Sequence, residues 1–140
     1  MWVVDTCVII DILDRVPGLA EISADALDAK CGDGLVVAPI TFVELAPAFN
    51  ADVDEQLAFL EGLGVVVDFG GDRSSVLAAH RAWYNHIQRK RRGEVAKRPI
   101  ADVMIGAYAL SKGGLITRNE DDFRSLYPEL TIYNPVHPNN

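Results

Sequence analysis

Cysteine is nearly absent from this 140-residue chain, with only Cys7 and Cys31 present. They fall in different predicted elements and lack metal-ligand spacing. Neither a disulfide framework nor a thiolate metal site is expected, and a reduced, cytoplasmic protein is. No apolar run approaches the roughly 18 residues of a membrane span, so no membrane association is expected. Met1-Trp-Val-Val reaches Asp5 after four residues, which does not read as a secretory signal. Repeats, low-complexity tracts and long linkers are also missing, so one domain over residues 1–140 is expected. Glycine-rich phosphate loops are lacking too: Gly62-Leu-Gly64 and Gly70-Gly71 read as turns.

Apolar residues, by contrast, make up 49% of the chain and charged residues 24%, a globular balance that excludes a disordered tail. Bases are outnumbered, 13 against 20 acids, for a net charge of −7. They are also concentrated. Residues 81–98 hold seven bases (Arg81, Arg89, Lys90, Arg91, Arg92, Lys97, Arg98) and one acid, Glu94. That segment carries +6 and the remainder −13, so an acidic body bears one basic stripe.

Short apolar runs alternate with helical patterns. Strands are predicted at Trp2–Val4, Leu35–Ala38, Val65–Val67, Leu115–Thr117 and, as an edge, Leu130–Tyr133. Helices are predicted over 8–13, 19–30, 54–63, 72–90 and 121–127. Thr41 is read as opening another, because Thr41-Phe-Val-Glu44 has capping-box spacing. In the long helix Val76, His80, Trp83 and Ile87 share a face, which reads as core with His80 a satisfied buried histidine. Trp83 and Tyr84 read as packing rather than base stacking, and His86 and His137 show no ligand spacing. Pro99 suits the first turn of a helix whose apolar stripe is Ile100, Val103, Ala107 and Leu110. This alternation predicts an α/β domain with a mostly parallel sheet, in which ligands bind beyond the carboxyl ends of the strands.

Acids occupy those ends. Asp5 follows the first strand, Glu44 comes shortly after the second, Asp102 opens the helix after the basic segment, and Asp121 and Asp122 follow Thr117. Each alone has a structural reading as a cap or a partner for a helix dipole. Several in one crevice would repel unless a cation neutralised them. All-oxygen ligands suit a hard divalent ion such as Mg²⁺ or Mn²⁺, which can activate water and stabilise charge developing on a phosphodiester.

Four strings occur in order: Val-Val-Asp5-Thr-Cys-Val-Ile-Ile-Asp, Pro-Ile-Thr-Phe-Val-Glu44-Leu, Ile-Ala-Asp102-Val-Met-Ile-Gly-Ala-Tyr-Ala-Leu and Leu-Ile-Thr117-Arg-Asn-Glu-Asp-Asp122-Phe. Together they resemble the PIN-domain ribonucleases, in particular the VapC-type toxins of bacterial toxin–antitoxin pairs, over almost the whole chain. The resemblance implies a PIN-like fold, a sheet of about five strands sandwiched by helices, and a metal-dependent endoribonuclease. It implies Asp5 and Asp102 as principal Mg²⁺ ligands (Mn²⁺ being the alternative), with Glu44 and Asp122 completing the acidic set. Asp122 is favoured over Asp121, which the motif leaves variable. Thr117 and Asn119 would support the site, Thr117 by orienting a ligand or a water. A homodimer and a cognate antitoxin are also implied. Cys7 departs from the pattern, standing where Asn or Ser is usual; it reads as a small packed hydrophobe and a weak hydrogen-bonding group.

Next to such a site, Arg89, Lys90, Arg91, Arg92, Lys97 and Arg98 are read as RNA-binding, through phosphate contacts that position the strand without reading its bases. A haloacid-dehalogenase-like phosphatase would want an acid where Cys7 stands. A receiver domain would want a lysine near Asn119 and Glu120. The remaining alternative is a catalytically silent PIN-like module that binds RNA or protein.

Overall fold

Runs of two or three mostly apolar residues, too short to be helices, become the strands of one sheet. In the computed structural model, which describes residues 1–138, these are β1 (Trp2–Val4), β2 (Leu35–Val37), β3 (Val65–Val67), β4 (Gly114–Ile116) and β5 (Ile132–Tyr133). Their order is β3-β2-β1-β4-β5 and every pairing is parallel. Seven α-helices among the described residues connect and cover them: α1 (Thr6–Leu13), α2 (Ala20–Lys30), α3 (Pro39–Glu44), α4 (Val53–Gly62), α5 (Arg73–Arg91), α6 (Ile100–Leu110) and α7 (Glu120–Leu126).

Alternation along the strands feeds a separate core on each face. Val3, Val36, Leu115 and Ile132 join Val103, Ala107 and Phe123 on one side. Val4, Leu35, Val37, Val65 and Ile116 join Val8, Ile9, Leu27 and Leu60 on the other. Burial on both faces is why the inner strands β1, β2 and β4 read as apolar runs, while Val66 of the edge strand β3 is exposed. Each fully buried aliphatic side chain contributes about 1.5–3 kcal/mol. Two glycines allow close approach. A Cβ on Gly106 would stand 2.4 Å from the Tyr127 ring, so α6 needs glycine to seat against Tyr127, whose hydroxyl donates to the Val103 carbonyl at 2.6 Å. Gly114, at φ +150°, sits 2.7 Å (at its absent Cβ) from both Thr131 O and the Trp2 ring.

Two local expectations change. Helix α3 begins at Pro39, with Ala38 as its N-cap and no side-chain capping bond. Thr41 therefore lies inside the helix, buried, and no Thr41–Glu44 capping box forms. A proline at the first helical position loses no hydrogen bond, which lets the helix start two residues early. On α5 the buried side is made of small residues: Ala78, Ala79 and Ala82 pack on the core with Trp83, and Ser75 and His86 are buried. Val76 and His80, expected inside, are exposed. With Tyr84 and Ile87 they line an open groove against Ile100 and Met104 of α6. Ile100, predicted within the core stripe, is 53% exposed.

The strand order reverses at β1. The chain moves outward through β2 and β3, then returns to place β4 and β5 on the other side. The crevice beyond the carboxyl ends of β1 and β4 is therefore the topological switch point, the usual ligand position in an open parallel sheet. Val4 pairs with Ile116 across that junction, so the residues that follow them, Asp5 and Thr117, emerge side by side.

Candidate active site

Asp5 is the N-cap of α1, yet its carboxylate makes no capping bond to the helix. Its backbone N–H donates to the Ile116 carbonyl at 3.0 Å, continuing the β1–β4 ladder. The residue is 3% exposed. Oδ2 accepts from Thr117 Oγ1 at 2.7 Å and from the Cys7 thiol at 3.3 Å. Burial pushes the Asp5 carboxyl up to about 6; the bonds from Thr117 and Cys7 pull against that, and the nearby Asp102 charge adds to it. Cys7 is itself pushed up to about 12 by burial and then by the Asp5 charge, so it serves as a protonated donor. A thiol thus keeps a hydrogen bond to the site while its other side packs against the core below. Thr117, fully buried, accepts from the Asn119 N–H at 3.0 Å, which fixes its hydroxyl toward Asp5. Asn119 is the N-cap of α7, with no capping bond from its side chain.

Asp102 sits in the first turn of α6, its side chain largely covered. The side chain facing it is Arg98. Arg98 Nη2 lies 2.8 Å from Asp102 Oδ2 and 3.1 Å from Asp122 Oδ2. Asp122 is thus the acid that reaches Arg98, whereas Asp121 is exposed and forms no ion pair among the described residues. Glu44, at the end of α3, is exposed; its Oε1 accepts from Thr6 Oγ1 at 2.7 Å, and the same hydroxyl lies 3.2 Å from Thr41 Oγ1. Glu44 is therefore linked to the residue next to Asp5 rather than to Asp5 itself. Among the described residues no three acids, histidines or cysteines converge tightly enough to form a finished metal cage. Of the four expected acids, Asp102 and Asp122 converge on Arg98, whereas Asp5 is held by Thr117 and Cys7 and Glu44 by Thr6.

The chemistry of the set nevertheless fits a hard divalent cation. Its donors are carboxylate and hydroxyl oxygens. Asp5 is buried with no cationic partner of its own among the described residues, and it feels the charge of a second carboxylate. A buried acid in that state gains from a cation placed between the two.

Half of the expected RNA-binding bases are engaged by the protein. Arg89 Nη1 donates to the Ser125 carbonyl at 3.0 Å, Arg92 pairs with Glu94 at 3.1 Å, and Arg98 holds the two aspartates. Lys90, Arg91 and Lys97 are exposed and make no ion pair among the described residues.

Three supporting features escaped the sequence reading. His86, not His80, is the buried histidine of α5, and its Nε2 accepts the Arg98 backbone N–H at 2.9 Å. Thr6 ties Glu44 to α1. Asp11, 3% exposed inside α1, binds Arg118 through its Nε and, at 3.1 Å, its Nη2, clamping the residue after Thr117 to the helix after Asp5. The signal for that pair was an acid interrupting the apolar run Val8-Ile-Ile-Asp11-Ile-Leu13.

Comparisons with known proteins bear on the fold. Solved structures superpose along nearly the full length: VapBC2 from Rickettsia felis bound to a DNA fragment from its promoter, with 12% identity, TM-score 0.69, and 95% of this chain and 97% of that chain covered. FitAcB from Neisseria gonorrhoeae gives 19%, 0.66, 98% and 99%. VapBC-1 from nontypeable Haemophilus influenzae gives 23%, 0.67, 96% and 98%. At such identities the likeness establishes the fold. No curated protein sequence matches the chain at a significant level. Residues 2–127, however, match the PIN domain family, and the chain belongs to that family.

Proposed function

We propose that the protein is a divalent-metal-dependent endoribonuclease and the toxin of a toxin–antitoxin pair. The observation that carries the reading is Asp5: a carboxylate buried at the switch point and oriented by Thr117 and Cys7, which burial pushes up to about 6, with the nearby Asp102 charge adding to the rise. Asp5 and Asp102 would hold Mg²⁺ or Mn²⁺, with Asp122 and Glu44 completing the set. When bound, such an ion supplies an activated water and charge stabilisation at the scissile phosphate. Thr117 fixes the Asp5 carboxylate, and the Asp11–Arg118 pair keeps the β4 exit against α1. Exposed Lys90, Arg91 and Lys97 would meet the RNA backbone. The products would be a 5′-phosphate and a 3′-hydroxyl, formed by in-line attack of water without a covalent intermediate.

The partners proposed are a cognate antitoxin and a second copy of this chain. The structural neighbours are VapBC and FitAB assemblies, which supports the first. The exposed apolar groove of Val76, Tyr84, Ile100 and Met104 between α5 and α6 supports the second, since water-exposed apolar area of this kind favours self-association. The proposed site of action is the cytoplasm; no helix among the described residues is long and apolar enough to cross a membrane.

The test is cleavage of labelled cellular RNA by the purified protein with Mg²⁺ or Mn²⁺, with chelator, and by Asp102→Asn. Metal-dependent cleavage, reduced at least ~100-fold in the variant, is expected. Cleavage by Asp102→Asn at the parental rate would remove the site assignment. Absence of any cleavage by folded, antitoxin-free protein would favour a silent binding module.

A further inference from the structure

We propose that Arg98 is a built-in cation that closes the acidic site of the metal-free protein, and that a divalent ion and the Arg98 guanidinium compete for Asp102 and Asp122. The inference rests on reading this site as one for a divalent cation. One atom, Nη2, lies 2.8 Å from Asp102 Oδ2 and 3.1 Å from Asp122 Oδ2. The guanidinium already occupies Oδ2 of both carboxylates, so a divalent ion drawn to those oxygens would have to displace it.

The rest of the residue is built for this placement. The Arg98 backbone N–H is anchored to His86 Nε2 at 2.9 Å, which fixes where its side chain starts. Asp102 is the fourth residue after Arg98, and Pro99 stands between the anchor and the first turn of α6. Arg98 Nε is buried with no hydrogen-bond partner, so the side chain bears an uncompensated desolvation cost that an arginine free in solvent would avoid. The two carboxylates therefore hold it in place. At 29% side-chain exposure it also has a way out to solvent. An arginine attracted only to RNA phosphate would have no reason to bury its Nε or to bridge acids from α6 and α7. The pairing removes like-charge repulsion between Asp102 and Asp122 when no metal is present, and weakens apparent metal affinity by the fraction of molecules in the closed form.

Calorimetric titration with Mn²⁺ alone tests this on wild type, Arg98→Gln and Asp102→Asn. A closed form populated about nine-tenths of the time predicts roughly tenfold tighter Mn²⁺ binding by Arg98→Gln than by wild type. Asp102→Asn should bind more weakly than both. Equal or weaker binding by Arg98→Gln, with measurable binding by wild type, overturns the competition and leaves the metal site standing. No binding by either protein overturns both readings. Should Arg98→Gln fail to fold, wild type decides: the Arg98 Nε–H resonance, followed during Mg²⁺ titration, should lose its protection from solvent as the ion binds. An Arg98 signal that stays protected while Asp102 responds to Mg²⁺ overturns the proposal.

Discussion

Asp5 is held in the fold against its own preference. Its carboxyl is raised from 3.8 to about 6 because burial disfavours the charge and Asp102 adds repulsion, and two hydrogen bonds only partly offset this. Sites that keep such a charge do so at a cost in stability. Asp5→Asn keeps an acceptor for Thr117 and Cys7 but removes the buried charge. At pH 7 the metal-free variant should therefore be more stable by about 1 kcal/mol, a rise of roughly 3 °C in melting temperature, while losing RNA cleavage. A variant that melts lower than wild type without metal would mean that the Asp5 charge is compensated after all. The position of Asp5 was legible because a strand-like triplet ends directly in an acid. Arg98 was not, because a run of bases looks the same whether its members face solvent or fold back on carboxylates. Only Asp102, four residues on, and Asp122, distant in sequence, reveal which base turns inward.

At the scale of elements, the strands were easier to read than the helix faces. A parallel strand buried on both sides needs only an apolar run, and Trp2–Val4, Leu35–Val37 and Leu115–Ile116 supply one each; Val65–Val67 is as apolar although Val66, at the sheet edge, is exposed. Helix α5 misled because, Trp83 apart, its buried side is made of small residues. Ala78, Ala79 and Ala82 let α5 lie close to the core, while Val76 and Tyr84 face outward. The same rotation buries His86 at the point where α5 meets the segment leading into α6. Desolvation lowers the His86 pKa, with Arg89, Arg98 and Lys90 adding to the shift. The folded protein therefore binds fewer protons there than the unfolded chain. His86 contributes stability above its unfolded value near 6.5 and loses it as pH falls through the lower folded value. Protonation also turns Nε2 from acceptor to donor and breaks the bond from the Arg98 N–H. Wild type should lose stability relative to His86→Gln as acid is added from neutral pH, which chemical denaturation at a series of pH values measures. A difference between the two that does not change with pH would show that His86 is not neutral and desolvated in the fold.

The molecule as a whole joins a legible topology to a divided charge. A parallel sheet ordered β3-β2-β1-β4-β5 has one switch point, and connectivity rather than sequence proximity relates Asp5, just after β1, to the acids of α6 and α7. An acidic pocket on an acidic body repels a polyanion. Residues 81–98 carry the +6 that opposes this, but Arg89, Arg92 and Arg98 already have partners within the protein. Under the proposed function, the charge available to RNA phosphates would come mainly from Lys90, Arg91 and Lys97. Each phosphate contact on a single strand contributes about 0.7 to the slope of log affinity against log salt, through release of condensed counterions. Replacing Lys90, Arg91 and Lys97 by Gln should lower that slope by about 2 and weaken binding most at low salt. Replacing Arg89 and Arg92 instead should change it far less. Fluorescence anisotropy of labelled RNA across a salt series, in an Asp102→Asn background that leaves the RNA intact, separates the two. An unchanged slope in the triple variant would mean that the basic stripe is a solvated helix end and that RNA approaches the crevice from another side.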